Sequence, residues 1–256
     1  MSFLIAAHTD IGRRTVNQDA FCIKTAETPE GEVVLAALCD GMGGADDGDR
    51  ASEQTIGGLE LWFEKELPVL ISQGMNNETL QKSLVEVLND QNEKLIQYGN
   101  QHGRKLGTTA SVLLLYNKEC VVVHVGDSRI YQINREGAFQ MTEDHSLVAK
   151  EIREGKITEE MARKDKRRNI LTQCVGIRGR IHPQFLSFAQ TPKTAYLLCS
   201  DGFVHENEAA DIGRKLAPRK LRNEKKMKQG LVELTEHAKD AGENDNITTV
   251  LVHINK

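Results

Sequence analysis

Val33-Val34-Leu35-Ala36-Ala37-Leu38-Cys39-Asp40-Gly41-Met42-Gly43-Gly44 decides how the rest of the chain is read. Seven apolar residues, 33–39, run without a break and stop on a carboxylate. The run is short for a helix and rich in strand-compatible side chains, so it predicts a strand buried on both faces. A carboxylate at the end of such a strand lies at the rim of a core, where it must be solvated, paired or bound to a metal. The glycines after it predict a turn that lets backbone approach whatever Asp40 holds.

One Asp-Gly is an ordinary strand end, but the chain repeats the pattern. Asp127 follows CVVVHVG and Asp201 follows AYLLCS, while Asp19 precedes AFCIK and Asp245 precedes NITTVLVHI. In an antiparallel sheet the finish of an outgoing strand and the start of an incoming one share an edge. Five carboxylates converging on one rim repel one another unless a cation sits among them. Oxygen ligands without histidine or thiolate describe a hard ion, Mg²⁺ or Mn²⁺, rather than zinc. Several carboxylates leave room for two ions, which in two-metal sites lie roughly 3.5–4 Å apart and act on an in-line phosphoryl transfer. Arg14, five residues before Asp19, is placed to grip phosphate oxygens in a bidentate fashion. The residues alone therefore point to a metal-assisted hydrolase of phosphate esters.

Composition narrows the class further. A net charge of −4 with 27% charged residues in 256 argues against nucleic acid or an anionic membrane as partner. Five cysteines, odd in number and never spaced as C-x-x-C, read as free thiols in a reducing compartment. The apolar stretch near the start, about five residues without a basic leader, is too short for a signal peptide. No segment reaches the roughly 18 apolar residues of a membrane span. A cytoplasmic protein is the expectation.

Read in order, the pattern predicts strands at 3–7 and 20–24, a turn-rich linker over 25–32, and a helix over 48–66. Gly57 and Gly58 in that helix suggest close packing against a sheet. A longer helix follows from Asn77 as N-cap through Tyr98. Strands at 109–116, 120–125 and 129–133 read as an antiparallel meander. Ser146 caps a short helix, residues 156–180 read as polar and irregular, and strands resume at 184–188 and 195–199. A last helix, 226–241, ends at Gly242, and 247–254 closes the chain as a strand. No repeat or linker divides the chain, so one α+β domain over 1–256 is expected.

Beyond these residues, the chain resembles the metal-dependent PPM, or type-2C, serine/threonine protein phosphatases in their compact bacterial form. The resemblance rests on Arg14-Thr15-Val16-Asn17-Gln18-Asp19, Asp40-Gly41-Met42-Gly43-Gly44, Gly107-Thr108-Thr109, Val125-Gly126-Asp127-Ser128-Arg129, Met141-Thr142-Glu143-Asp144-His145-Ser146, Asn169-Ile170-Leu171-Thr172, Cys199-Ser200-Asp201-Gly202 and Asp245-Asn246-Ile247-Thr248. Each is weak alone; eight in the family's order are specific. The resemblance implies a four-layer α-β-β-α sandwich, two antiparallel sheets flanked by helices. It implies two Mn²⁺ or Mg²⁺ ions, with a third weaker one, and attack on phosphoserine or phosphothreonine by a water bridging the pair.

By the same resemblance, Asp40 bridges two metals and the Gly41 carbonyl binds one of them. Asp19 acts through bound waters, Asp201 and Asp245 complete the second ion's shell, and Asp127 with Asp201 serves the third. Arg14 binds the substrate phosphate. The implied partners are phosphoproteins modified by a bacterial eukaryotic-type kinase, and a monomer is expected. The alternatives are a phosphatase of a small regulatory phosphoprotein in stress or sporulation signalling, or a catalytically silent regulatory module.

Departures from the family pattern carry information too. Met42 stands where many animal members carry a histidine proposed as the acid, so a metal-bound water or another group must be the acid. Asp49 replaces a usual Glu, with a structural consequence expected. His145 is read as fixing the Asp144 turn rather than as an acid. Residues 146–180 correspond to the family's flap, and its basic run at 163–168 is either a solvated face or a substrate contact.

Overall fold

Odd and even residues of the opening run go to different cores. In the computed structural model, which describes residues 2–43 and 47–255, the run lies in β3 (Gly31–Gly43). Val34, Ala36 and Leu38 pack with Leu113, Val122, Tyr196, Leu198, Val250 and Val252. Val33, Leu35, Ala37 and Cys39 pack with Leu59, Trp62, Leu84 and Leu88. Side chains alternate across a strand, so β3 has a second sheet on one face and helices on the other. An unbroken apolar run is what such a position requires.

One sheet has the order β1 (Phe3–Asp10), β11 (Ile247–Ile254), β10 (Thr194–Cys199), β7 (Arg129–Ile133), β8 (Ala138–Gln140). The other runs β2 (Asp19–Thr28), β3, β5 (Ala110–Tyr116), β6 (Glu119–Val125), β9 (Gln184–Ala189), with β4 (Leu106–Thr108) paired to the end of β3. The helices α1 (Gly48–Lys65), α2 (Leu67–Ser72) and α3 (Asn77–His102) contribute to the core outside β3. On the opposite side, α6 (Asp201–Val204), α7 (Ala209–Lys215) and α8 (Glu224–Ala241) cover the first sheet, with Leu231, Leu234 and Ala238 packed among Leu197 and Leu251. The architecture is the expected α+β sandwich of two antiparallel sheets between helices.

Several local expectations are corrected. The strand does not stop at Asp40: Gly41, Met42 and Gly43 pair with Thr108, Gly107 and Leu106, because β4 supplies a partner from 68 residues away in sequence (Thr108 Oγ1 donates to the Asp40 carbonyl). Gly44 lies outside the described residues. The linker over 25–32 is mostly strand, with Thr28 opposite Gly31. Asn76 rather than Asn77 caps α3, in a reciprocal box with Thr79. Gly58 lies against Gln91 of α3, not against a sheet, while Gly57 faces open space.

The meander is also only half right. β5 and β6 pair, but β7 crosses to the other sheet and pairs with β10. Residues 156–180 are not wholly irregular, since α5 (Glu159–Lys164) forms there with Thr158 as cap, after α4 (Leu147–Arg153), which Ser146 caps as expected. The four buried cysteines and the half-buried Cys174 are all free thiols. No helix among the described residues is long and apolar enough to cross a membrane.

Candidate active site

Asp19 and Asp40 are direct partners in the β2–β3 register. Asp40 continues the face of Ala36 and Leu38, so both carboxylates face the space between the sheets at its open end. From the other sheet, Asp201 opens α6 two residues beyond β10, and Asp245 stands two residues ahead of β11. Asp127 follows β6 by two residues.

Backbone contacts close this rim. The Asn246 side chain donates to the carbonyls of Ile11 and Val16 and accepts from the Gln18 amide, fastening the loop before Asp19 to the residue after Asp245. Ser200 Oγ accepts from the Thr248 amide, which fixes the turn into Asp201. At Asp40 the amide donates to Thr109 Oγ1 and the carbonyl accepts from the Thr109 amide and the Thr108 hydroxyl. Gly41 is required sterically: a Cβ there would lie 2.0 Å from the Gly48 carbonyl oxygen and 2.6 Å from that of Gln18.

Burial and mutual repulsion dominate the electrostatics of the rim. Both Asp19 carboxylate oxygens are buried without a hydrogen-bond partner. Burial pushes the Asp19 carboxyl up to about 7, opposed by the nearby Thr248 and Ser200 hydroxyls and reinforced by the charges of Asp201 and Asp245. Asp40 rises well above the usual carboxylate range through burial and then the charges of Asp19, Asp201, Asp127 and Asp245. Asp127 and Asp201 are raised as well, burial again leading. The carboxylates therefore sense one another, which is the convergence expected from the sequence. Among the described residues, no three His, Cys, Asp or Glu side chains form a ready-made group for a metal. The fit to a cation rests on the orphaned Asp19 oxygens and the mutual repulsion, and it suits hard ions that keep several waters.

Arg14 lies where the sequence placed it, beside the rim, but it is engaged. Nε and an Nη donate to the two oxygens of Asp245 at 2.9 and 2.7 Å, and the side chain is 56% exposed. His145 has a different job from the one expected: its Nδ1 accepts from the Gly126 amide and its own amide donates to the Gly126 carbonyl. It fixes the turn before Asp127, while Asp144 is held by the Arg129 guanidinium at 2.7 Å. Burial lowers the His145 pKa. Met42 lies in β3 opposite Gly107. The Asp49 side chain accepts from the Arg50 amide in the first turn of α1. The cleft of about 570 Å³ that Asp49 lines with Arg50 and Tyr98 contains none of the five aspartates.

Two residues of the rim carried no sequence signal. His205, the C-cap of α6, has Nδ1 2.8 Å from Glu243 Oε2 and Nε2 3.8 Å from Asp201 Oδ2. Glu243 accepts from the amides of Asn244 and Asp245. Neither abuts an apolar run as the aspartates do; proximity to Asp245 was the one available hint for Glu243.

Two sheets meet at a rim of aspartates with an arginine beside it, an arrangement of carboxylates and a cation that suits phosphate chemistry. Comparison with known proteins supplies the family. Residues 8–252 match the family model described as protein phosphatase 2C. The protein phosphatase PhpP of Streptococcus pneumoniae is 32% identical, with 98% of each chain covered. A solved serine/threonine phosphatase of Streptococcus agalactiae superposes with a TM-score of 0.85 at 30% identity, over 99% of this chain and 100% of that one. The catalytic domain of the phosphatase PstP, solved in complex with two manganese ions, superposes with a TM-score of 0.79 at 25% identity over the full length of both. The chain belongs to the protein phosphatase 2C family of serine/threonine protein phosphatases.

Proposed function

We propose that the chain hydrolyses phosphoserine and phosphothreonine in proteins by direct attack of an activated water, at a site built for two Mn²⁺ or Mg²⁺ ions. Asp19, Asp40, the Gly41 carbonyl, Asp201 and Asp245 would hold the pair, and Asp127 with Asp201 a third, weaker ion. Bound there, such ions would activate the attacking water and offset charge that gathers on the phosphoryl oxygens. The observation that carries this reading is the facing pair Asp19 and Asp40, whose rim leaves both Asp19 oxygens buried and unpartnered. A related phosphatase that binds two manganese ions supports the choice of metal.

The chain's own residues set up the rest. Arg14 grips the planar carboxylate of Asp245 through two parallel N–H donors, and the same fork suits two oxygens of a phosphoryl group. In the reaction the bond from phosphorus to the serine or threonine oxygen breaks as the water oxygen bonds to phosphorus, and the alcohol leaves with a proton. Met42 has no proton to give, so a water held at the metal site or another group would supply it. The five cysteines take no part: burial pushes their thiols up, Cys22 and Cys199 to about 12 and Cys174 to about 11, and thiolate is the nucleophilic form.

We take residues 1–256 as one catalytic domain, acting as a cytoplasmic monomer on proteins phosphorylated by a eukaryotic-type kinase. The full set of Arg14 and five aspartates weighs against a silent module. The test is hydrolysis of a phosphothreonine peptide after chelation and after return of Mn²⁺. Activity that is lost and restored supports the reading; activity that persists in chelator contradicts it.

A further inference from the structure

Asp201 and Asp245 come from different elements, the start of α6 and the loop before β11. The helix α6 is only four residues long and cannot fix its own orientation, because one turn of helix is not self-supporting. A bonded path joins the two aspartates. Glu243 follows the left-handed cap Gly242, its amide donates to the Ala238 carbonyl, and its side chain is 9% exposed. Its Oε1 accepts from the Asn244 and Asp245 amides at 2.6 and 2.9 Å. Its Oε2 accepts from His205 Nδ1 at 2.8 Å, since a carboxylate can only accept. The His205 amide donates to the Asp201 carbonyl at 3.1 Å, and Nε2 stands 3.8 Å from the Asp201 carboxylate. Asn207 adds a fastening, donating to the carbonyls of Phe203 in α6 and Leu234 in α8.

We infer that His205 and Glu243 are positioning residues that set the separation of the Asp201 and Asp245 carboxylates to suit a divalent cation. The inference rests on the reading of those aspartates as metal ligands. Two amides and one imidazole converge on a single buried carboxylate, so its removal unfastens both ends together. Oxygen cages for small hard ions tolerate little misplacement, and groups that orient ligands typically govern 10–100-fold in metal affinity.

The experiment measures Mn²⁺ binding to the full chain from the spin-resonance signal of free Mn²⁺, with no substrate present. Glu243→Ala and His205→Ala should each weaken binding by about 10–100-fold, and the double variant no further than the worse single, because the two act as a unit. Glu243→Gln should stay within a few-fold of the wild type, since its carbonyl accepts the same two amides and its amide nitrogen donates to the imidazole of the other tautomer. Wild-type affinity in His205→Ala while Asp201→Asn binds poorly would overturn the inference and leave the metal reading intact. Wild-type affinity in Asp201→Asn as well would remove the ligand reading and the inference with it. A Glu243→Gln variant as weak as Glu243→Ala would also overturn it. Should Glu243→Ala fail to fold, His205→Ala and Glu243→Gln decide.

Discussion

Asp19 and Asp40 sit opposite each other in the register of β2 and β3, with both Asp19 oxygens buried and unpartnered. Two carboxylates so placed destabilise the metal-free fold near neutral pH. The folded Asp19 carboxyl is raised to about 7, chiefly by burial and with reinforcement from neighbouring charge, against about 3.9 in an unfolded chain. The folded state thus holds protons that the unfolded state has already lost, and metal-free stability falls as pH rises from about 4 to 7. Asp19→Asn should raise metal-free stability at pH 7.5 by on the order of 1–3 kcal/mol and shrink the thermal shift produced by Mn²⁺. Urea unfolding with and without Mn²⁺ checks both. A metal-free variant less stable than wild type would contradict the repulsion.

The two adjacent glycines of α1 should respond in opposite directions. A methyl group at Gly57 meets nothing within 4 Å, whereas at Gly58 it would lie 2.4 Å from the buried Gln91 amide. Gly57→Ala should stabilise by about 0.5–1 kcal/mol through helix propensity. Gly58→Ala should destabilise by about 1–3 kcal/mol, as α1 and α3 are pushed apart. Thermal melts of the two variants provide the check.

His124 should make the protein acid-sensitive. It is fully buried, accepts from Ser111 at Nδ1, donates to the Gly126 carbonyl from Nε2, and has its pKa pushed down to about 4, burial being the main cause and His145 the next. The unfolded chain protonates its histidine near 6.5, so the unfolded state binds the extra proton between about pH 6.5 and 4 and stability drops through that window. At about 1.4 kcal/mol for each tenfold change in proton affinity, the loss approaches about 3 kcal/mol. The difference in unfolding free energy between wild type and His124→Gln, followed from pH 7 to 4.5, isolates this group from the carboxylates. A difference that stays flat with pH would rule it out.

The basic run at 163–168 separates into two roles. Arg167 is satisfied by Glu151 and Asp165 at 2.8 and 2.7 Å, while Arg168 donates to the Arg163 carbonyl and its charge is felt at His205 beside Asp201. If this segment meets substrate, Arg168→Ala should slow turnover of a phosphoprotein several-fold more than that of a small aryl phosphate. Arg167→Ala should act mainly by loosening α4 against α5. Equal losses on both substrates in Arg168→Ala would make the run a solvated face.

Much of this was legible because burial and chemistry were written locally. The run 33–39 declared a strand covered on both faces, the last strand was bounded at Ile247 and Ile254, and each aspartate announced itself by abutting an apolar run. What escaped depended on distant partners. Gly41–Gly43 remain in a strand only because residues 106–108 come to pair with them, and nothing in residues 129–133 says which sheet they join. His205 and Glu243 belong to the rim through a contact across 38 residues, with no periodicity to mark it. Arg14 was found, but its grip on Asp245 was not, since sequence spacing ranks possible partners of a fork poorly.

The most direct measurement is hydrolysis of a phosphothreonine peptide at saturating Mn²⁺ by wild type and by Asp40→Ala, with folding of both verified. Asp40 faces Asp19 and senses the charge of all four other aspartates, and electrostatic stabilisation of the transition state is usually the largest catalytic contribution. The account predicts a loss of about 10²–10³-fold or more in turnover. Full activity in the folded Asp40→Ala variant would contradict it.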